Sequence, residues 1–92
     1  MGSKNIENET AYLELGKFYF MNDKQDEAVL EFKKVLELNP ENAEAYYNLG
    51  LINESANKIT EAKNFYAKAL QFRADYKSAR ERLNKLIGLE DE

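Results

Sequence analysis

At 92 residues, the chain is long enough for one compact unit with a modest core and too short for two. It contains no cysteine, histidine or tryptophan, which excludes disulfides, thiolate and imidazole metal sites, and every nucleophile or base mechanism built on Cys or His. A formal charge of -4 and a pI near 4.9 argue against a general binder of nucleic acid or anionic membrane, which needs a basic face.

No run approaches the ~20 apolar residues of a membrane span, and the polar stretch from Gly2 to Glu9 lacks a signal-peptide pattern. Met1-Gly2-Ser3 reads as an added leader on a domain cut from a longer protein. The cytoplasm is the expected compartment. Charge is uneven: Arg73, Lys77, Arg80, Arg82 and Lys85 precede Glu90-Asp91-Glu92, so a basic helix is followed by an acidic tail, residues 89–92. Interleaved acids make that basic stretch a solvated face rather than a nucleic-acid or lipid site.

Residues 1–7 are polar and unpatterned and are expected to form a disordered leader. Asn8 is placed to cap a first helix, about Glu9 to Met21, in which Tyr12, Leu15 and Tyr19 with Ala11 and Phe18 recur at helical spacing on one face. Glu14 and Lys17 take the opposite side. Asn22-Asp23-Lys24 reverses the chain, since Asp and Asn tolerate the left-handed conformation. A second helix, about Gln25 to Leu38, has a buried stripe of Ala28, Val29, Phe32, Val35 and Leu36, with Glu27, Glu31, Lys33, Lys34 and Glu37 in solvent. Glu27 and Glu31 are read as solvated charges rather than an acid–base pair. Pro40 then stops the hydrogen-bond ladder.

The cycle restarts at Asn42, which stands where a cap is wanted. A third helix runs from about Ala43 to Glu54 with Ala45, Tyr46, Leu49 and Ile52 inward, and Asn57 marks the next reversal. A fourth, about Ile59 to Phe72, buries Ala62, Phe65, Tyr66, Ala69 and Leu70. From about Tyr76 to Ile87 a third cycle begins: Ala79 and Leu83 keep their places, while Arg80 replaces a tyrosine and Asn84 a glycine. Polar substitution on one side suits a helix that closes a stack, and Gly88 offers a stop.

Tyr46-Tyr47-Asn48-Leu49-Gly50 follows Tyr12-Leu13-Glu14-Leu15-Gly16 by 34 residues, a helix-turn-helix repeat of defined period. Gly16 and Gly50 are expected to let the two helices of each pair approach closely, with Ala28 and Ala62 as the small surface opposite. The pattern resembles that of the tetratricopeptide repeat family over about residues 9–87. Repeat 1, residues 9–42, carries Tyr12, Leu15-Gly16, Tyr19, Ala28, Phe32, Val35 and Pro40; repeat 2, residues 43–76, carries Tyr46, Leu49-Gly50, Ala62, Tyr66 and Ala69. Repeat 2 departs at Asn53, where an aromatic is usual, and at Ala74, where proline is usual.

The resemblance implies an all-α fold, a right-handed α-solenoid of antiparallel helix pairs with five helices, residues 77–88 capping a single domain over 8–88. It also implies a concave groove lined by the first helix of each pair. In this chain those places hold Leu13, Lys17 and Phe20, then Tyr47, Asn48 and Leu51, then Ser78, Glu81, Arg82 and Lys85. One subgroup of the family clamps a C-terminal carboxylate. Only Asn48 and Arg82 match that set, whereas Leu13, Lys17 and Ser78 stand at its other places.

The expected function is a non-catalytic protein–protein interaction module that holds a peptide or partner segment in the groove, Asn48 pairing with a backbone amide. No cofactor, metal, nucleic acid or membrane partner is expected. Two other readings stay open: a self-assembling unit, dimeric or stacked end to end, using Leu86, Ile87 and Leu89, and a docking domain of a larger protein.

Overall fold

The computed structural model describes the backbone of residues 2–90 and the side chains of residues 8–88. Five helices follow one another: α1 (Gly2–Met21), α2 (Gln25–Leu38), α3 (Ala43–Ser55), α4 (Ile59–Phe72) and α5 (Lys77–Glu90). Among the described residues there is no strand. Each helix packs on its sequence neighbours, and α1 also touches α3. The overall extents are 49 × 28 × 17 Å, and the thin direction accommodates two helix layers spaced about 8–10 Å apart. α1, α3 and α5 form one layer, α2 and α4 the other. This is an all-α solenoid built from antiparallel helix pairs.

Both tight reversals use the residues that the spacing marks. Asp23 (φ 63°) and Asn57 (φ 60°) adopt the left-handed conformation, which short polar side chains tolerate better than most. Behind them the Lys24 N–H donates to the Tyr19 carbonyl, and the Lys58 N–H to the Asn53 carbonyl, each at 2.8 Å, satisfying orphan carbonyls at the helix ends. At the other junction Asn42 caps α3, its side-chain oxygen accepting from the Ala45 N–H at 2.8 Å. Tyr46 donates its hydroxyl proton to the Pro40 carbonyl at 2.8 Å. One period later Arg80 donates to the Ala74 carbonyl at 3.2 Å. Thus Arg80, which reads in the sequence as decay of the pattern, ties down the same loop position through a different side chain.

The two glycine joints pack more tightly than expected and against different atoms. A Cβ on Gly16 would lie 2.7 Å from the Phe32 ring, and one on Gly50 would lie 2.5 Å from the Tyr66 ring. Each glycine therefore receives an aromatic ring. Ala28 and Ala62 are fully buried in the same layers but are not the surface the glycines meet.

Several expectations are corrected. α1 begins at Gly2, so residues 2–7 are helical instead of a disordered leader and Asn8 lies inside the helix instead of capping it. Nothing between Gly2 and Glu9 breaks a helix, and propagation from an already packed helix is easy once the nucleus exists. α5 passes through Gly88 to Glu90, because one interior glycine costs only about 1 kcal/mol; residues 91–92 of the expected tail, and Met1, lie outside the described residues. On α1 the buried positions are Leu13 and Gly16, while Ala11, Leu15 and Phe18 are exposed. Its covered side faces α2 and α3, whereas the sequence stripe includes a side on which no described helix lies. Glu31, expected in solvent, is only 8% exposed; it stands one period before the half-buried Phe65 and pairs with Lys34 at 3.2 Å.

Candidate functional site

The layer of α1, α3 and α5 carries two adjacent depressions that meet at Arg82. One, of about 340 Å³, is lined by Phe20, Leu51, Glu54, Ser55 and Arg82. The other, of about 410 Å³, is lined by Tyr47, Ser78, Glu81, Arg82 and Lys85. The structure therefore brings together Phe20, Tyr47, Leu51, Ser78, Glu81, Arg82 and Lys85 from three helices distant in sequence. The other groove residues named from the sequence do not line these depressions. Leu13 is 8% exposed and belongs to the core between α2 and α3. Asn48 is 7% exposed, and its amide donates back to the Glu44 carbonyl at 2.8 Å, so that donor is committed within its own helix. Lys17 is half-buried and engaged by acidic groups.

Two acidic groups at the site, Glu44 and Glu54, were missed from the sequence, although the register could have found them. Glu44 stands one period before Ser78, and Glu54 one period after Phe20, both at groove places. Lys17 donates to the Glu44 carboxylate at 2.9 Å and to Glu14 at 3.4 Å, joining α1 to α3. The hydrogen bond to Glu44 holds the Lys17 pKa above its ordinary value, against the opposing effect of burial. Glu54 joins α3 to both α4 and α5: it accepts from the Tyr66 hydroxyl at 2.7 Å and from the Arg82 guanidinium at 3.3 Å. These two cations are thus already balanced by the protein's own carboxylates.

Tyr47, which lines the second depression, is backed by two further tyrosines. The Tyr47 ring lies 5.0 Å from Tyr76 and 5.7 Å from Tyr66, both tilted, within the favourable range for ring pairs. Burial, followed by the hydrogen bond to Glu54, drives the Tyr66 phenol well above its ordinary pKa. Burial, with the nearby Glu44 charge, pushes Tyr76 up to about 12. Both phenols stay neutral across the physiological range, and the site offers the Tyr47 ring and the Ser55 and Ser78 hydroxyls beside an internally paired charge network. Among the described residues no group of three or more acidic side chains is placed to hold a metal ion. No described helix is long and apolar enough to cross a membrane.

Comparison with known proteins agrees with this architecture. A family profile described as TPR repeat matches residues 19–56, and one described as Tetratricopeptide repeat matches residues 43–76, so the two together span more than half of the chain. Human Protein O-mannosyl-transferase TMTC1 is 37% identical over 65 residues, covering 71% of this chain and 7% of that protein. Protein O-mannosyl-transferase Tmtc3 of Drosophila melanogaster is 37% identical over 46 residues, covering 50% of this chain and 5% of the relative. The chain therefore spans a small fraction of the length of these curated relatives. Among solved structures, the first TPR of Spaghetti (RPAP3) bound to HSP90 peptide SRMEEVD superposes with a TM-score of 0.82 at 21% identity, covering 91% of this chain and 67% of that one.

Proposed function

The chain belongs to the tetratricopeptide repeat family, and from that premise we propose that it is a non-catalytic interaction module whose α1/α3/α5 face holds an extended segment of another protein. The observation that carries this reading is the pair of depressions meeting at Arg82. An apolar side chain of the ligand seats between Phe20 and Leu51. Its next polar groups lie over Tyr47, Ser78 and Lys85. The structural neighbour bound to an HSP90 peptide supports the choice of a peptide as ligand.

The recognition chemistry differs from a terminal-carboxylate clamp. Leu13 is buried in the core, and Lys17 and Arg82 are paired with Glu44 and Glu54. We therefore assign anchoring to Phe20, Leu51 and Tyr47, and orientation to Arg82 and Lys85. Within a longer polypeptide the same face would serve as a docking domain, a role favoured by the much greater length of the transferase relatives.

Selection of phage-displayed random peptides on the folded protein tests the proposal. Enriched peptides should lose about tenfold or more in affinity against Leu51→Glu, the effect of removing one buried apolar anchor, with helical circular dichroism retained. Peptides that bind wild type and Leu51→Glu equally would place recognition elsewhere.

A further inference from the structure

Tyr19 and Asn53 stand one 34-residue period apart on the same backbone. Each accepts at its carbonyl from the N–H that follows the left-handed turn, Tyr19 from Lys24 and Asn53 from Lys58, both at 2.8 Å. Only the side chains differ. The Tyr19 ring packs against the core shared by α1, α2 and α3. The Asn53 amide instead donates back to the Leu49 carbonyl of its own helix at 2.8 Å, and the place of the ring is left unfilled.

A cavity of about 350 Å³ lies beside Asn53. Val29 of α2, Leu49 and Ile52 of α3 and Phe65 of α4 form its apolar wall; Leu49 and Ile52 are buried, Val29 and Phe65 half-buried. The volume is that of a small-ligand pocket. Its walls come from the middle of the array, with neither α1 nor α5 contributing, and it shares no lining residue with the two groove depressions. Lys33, Lys58 and Asp26 stand exposed at its rim. Among the described residues none of the three has an ion-pair partner. Two cations therefore face one carboxylate, and the rim carries positive charge in excess.

We propose that this cavity is a binding site for a small aromatic acid, a single ring on a short chain that ends in a carboxylate. The ring takes the place that Tyr19 fills one repeat earlier, against Val29, Leu49 and Ile52 and beside the Phe65 ring, where aromatic packing favours it over an aliphatic chain. The carboxylate lies toward Lys33 and Lys58 and balances the excess charge of the rim. Because those lysines are exposed, they supply orientation and a modest, salt-sensitive share of affinity, and the apolar wall supplies most of it. The site is independent of the groove and does not rest on the peptide reading.

The probe is para-hydroxyphenylpropanoate, titrated into the whole protein at fixed pH with backbone amide shifts as the readout. Saturation with a dissociation constant of about 1 mM or below is expected, with shifts centred on Val29, Ile52, Asn53 and Phe65. Hexanoate, which lacks the ring, should bind about tenfold more weakly. Phenylethanol, which lacks the charge, should bind about threefold more weakly at low salt, and that gap should close as salt rises. Asn53→Tyr restores the ring of the first repeat, and should abolish binding while raising the melting temperature by filling the cavity. Exchange of the two exposed lysines together, Lys33→Glu with Lys58→Glu, should weaken the probe about tenfold with helical circular dichroism retained, and decides the matter if Asn53→Tyr does not fold. No saturation would leave a packing gap only and overturn the proposal. Equal binding to either variant, hexanoate or phenylethanol matching the probe, or shifts centred on Phe20, Leu51 and Arg82 would overturn it equally. A blocked tripeptide with tyrosine between two glutamates that binds here while the free acid does not would make a protein segment the occupant, against the proposal.

Discussion

The two helix pairs share one joint and differ at their edges. In each, a glycine on the first helix admits an aromatic ring from the second, Gly16 with Phe32 and Gly50 with Tyr66. The α3 side of the second pair is then covered by α2, and α5 covers α4. By contrast, the equivalent side of α1 leaves Leu15 and Phe18 in solvent. The second pair is therefore held on both flanks and the first on one. Local packing within a pair is a property of its own sequence, whereas burial of its outer face depends on which helix lies beside it.

The largest expected effect tests that asymmetry directly. Gly50→Leu forces a side chain into the Tyr66 ring with neighbours on both flanks, and should lose about 3 kcal/mol, or roughly 12–24 °C in melting temperature for a domain of this size. Gly16→Leu makes the same clash with Phe32, but α1 is free to shift toward its open side, so a visibly smaller loss is expected. Equal losses in thermal melts would break the comparison, and an unchanged Gly50→Leu would remove the joint itself.

A smaller effect probes the connection between the pairs. Asn42 caps α3 and also donates its amide to Glu9 on α1 at 2.6 Å, beside Asn39, which donates to the same carboxylate at 2.8 Å. Asn42→Ala should cost about 1 kcal/mol from the cap alone. Urea denaturation measures it; a loss below about 0.3 kcal/mol would show that water replaces the cap.

The smallest effect at ordinary pH appears only on alkaline titration, and it reports on the second pair and its junction with α5. Burial raises the pKa of Tyr66 and Tyr76 in the folded chain, so their neutral forms are favoured there. The stability they contribute is complete below the ordinary phenol value near 10. It falls as pH rises through the window up to about 12 for Tyr76, with Tyr66 continuing the loss beyond. Tyrosinate absorbance should rise in two stages, and Tyr66→Phe should reduce the pH dependence of denaturation above pH 10. A single-stage titration with unchanged dependence would contradict the burial of these phenols.

Much of the candidate site was legible because the groove places follow the same period as the core. Phe20, Tyr47, Leu51, Ser78, Glu81, Arg82 and Lys85 were named by carrying the groove places implied by the family resemblance onto this register, and they meet at two adjacent depressions. Glu44 and Glu54 follow from the same register but were passed over, since a carboxylate at a groove place reads as solvated charge until its partner is known. Leu13 and Asn48 were misplaced for the converse reason. Both sit on the side of their helices that turns toward groove and neighbour together, and only the distance between helices decides which of the two covers them.

The sequence by itself determined the number of helices, their 34-residue register and the glycine joints, because these depend on local hydrogen bonding, capping and the spacing of apolar groups along one chain. The N-terminal reach of α1, the burial of Glu31, the pairing of Lys17 with Glu44 and of Arg82 with Glu54, and the exposure of Leu15 and Phe18 were decided only by the tertiary structure. Each depends on what a neighbouring helix brings near, and a periodic pattern specifies the face of a helix without specifying its occupant.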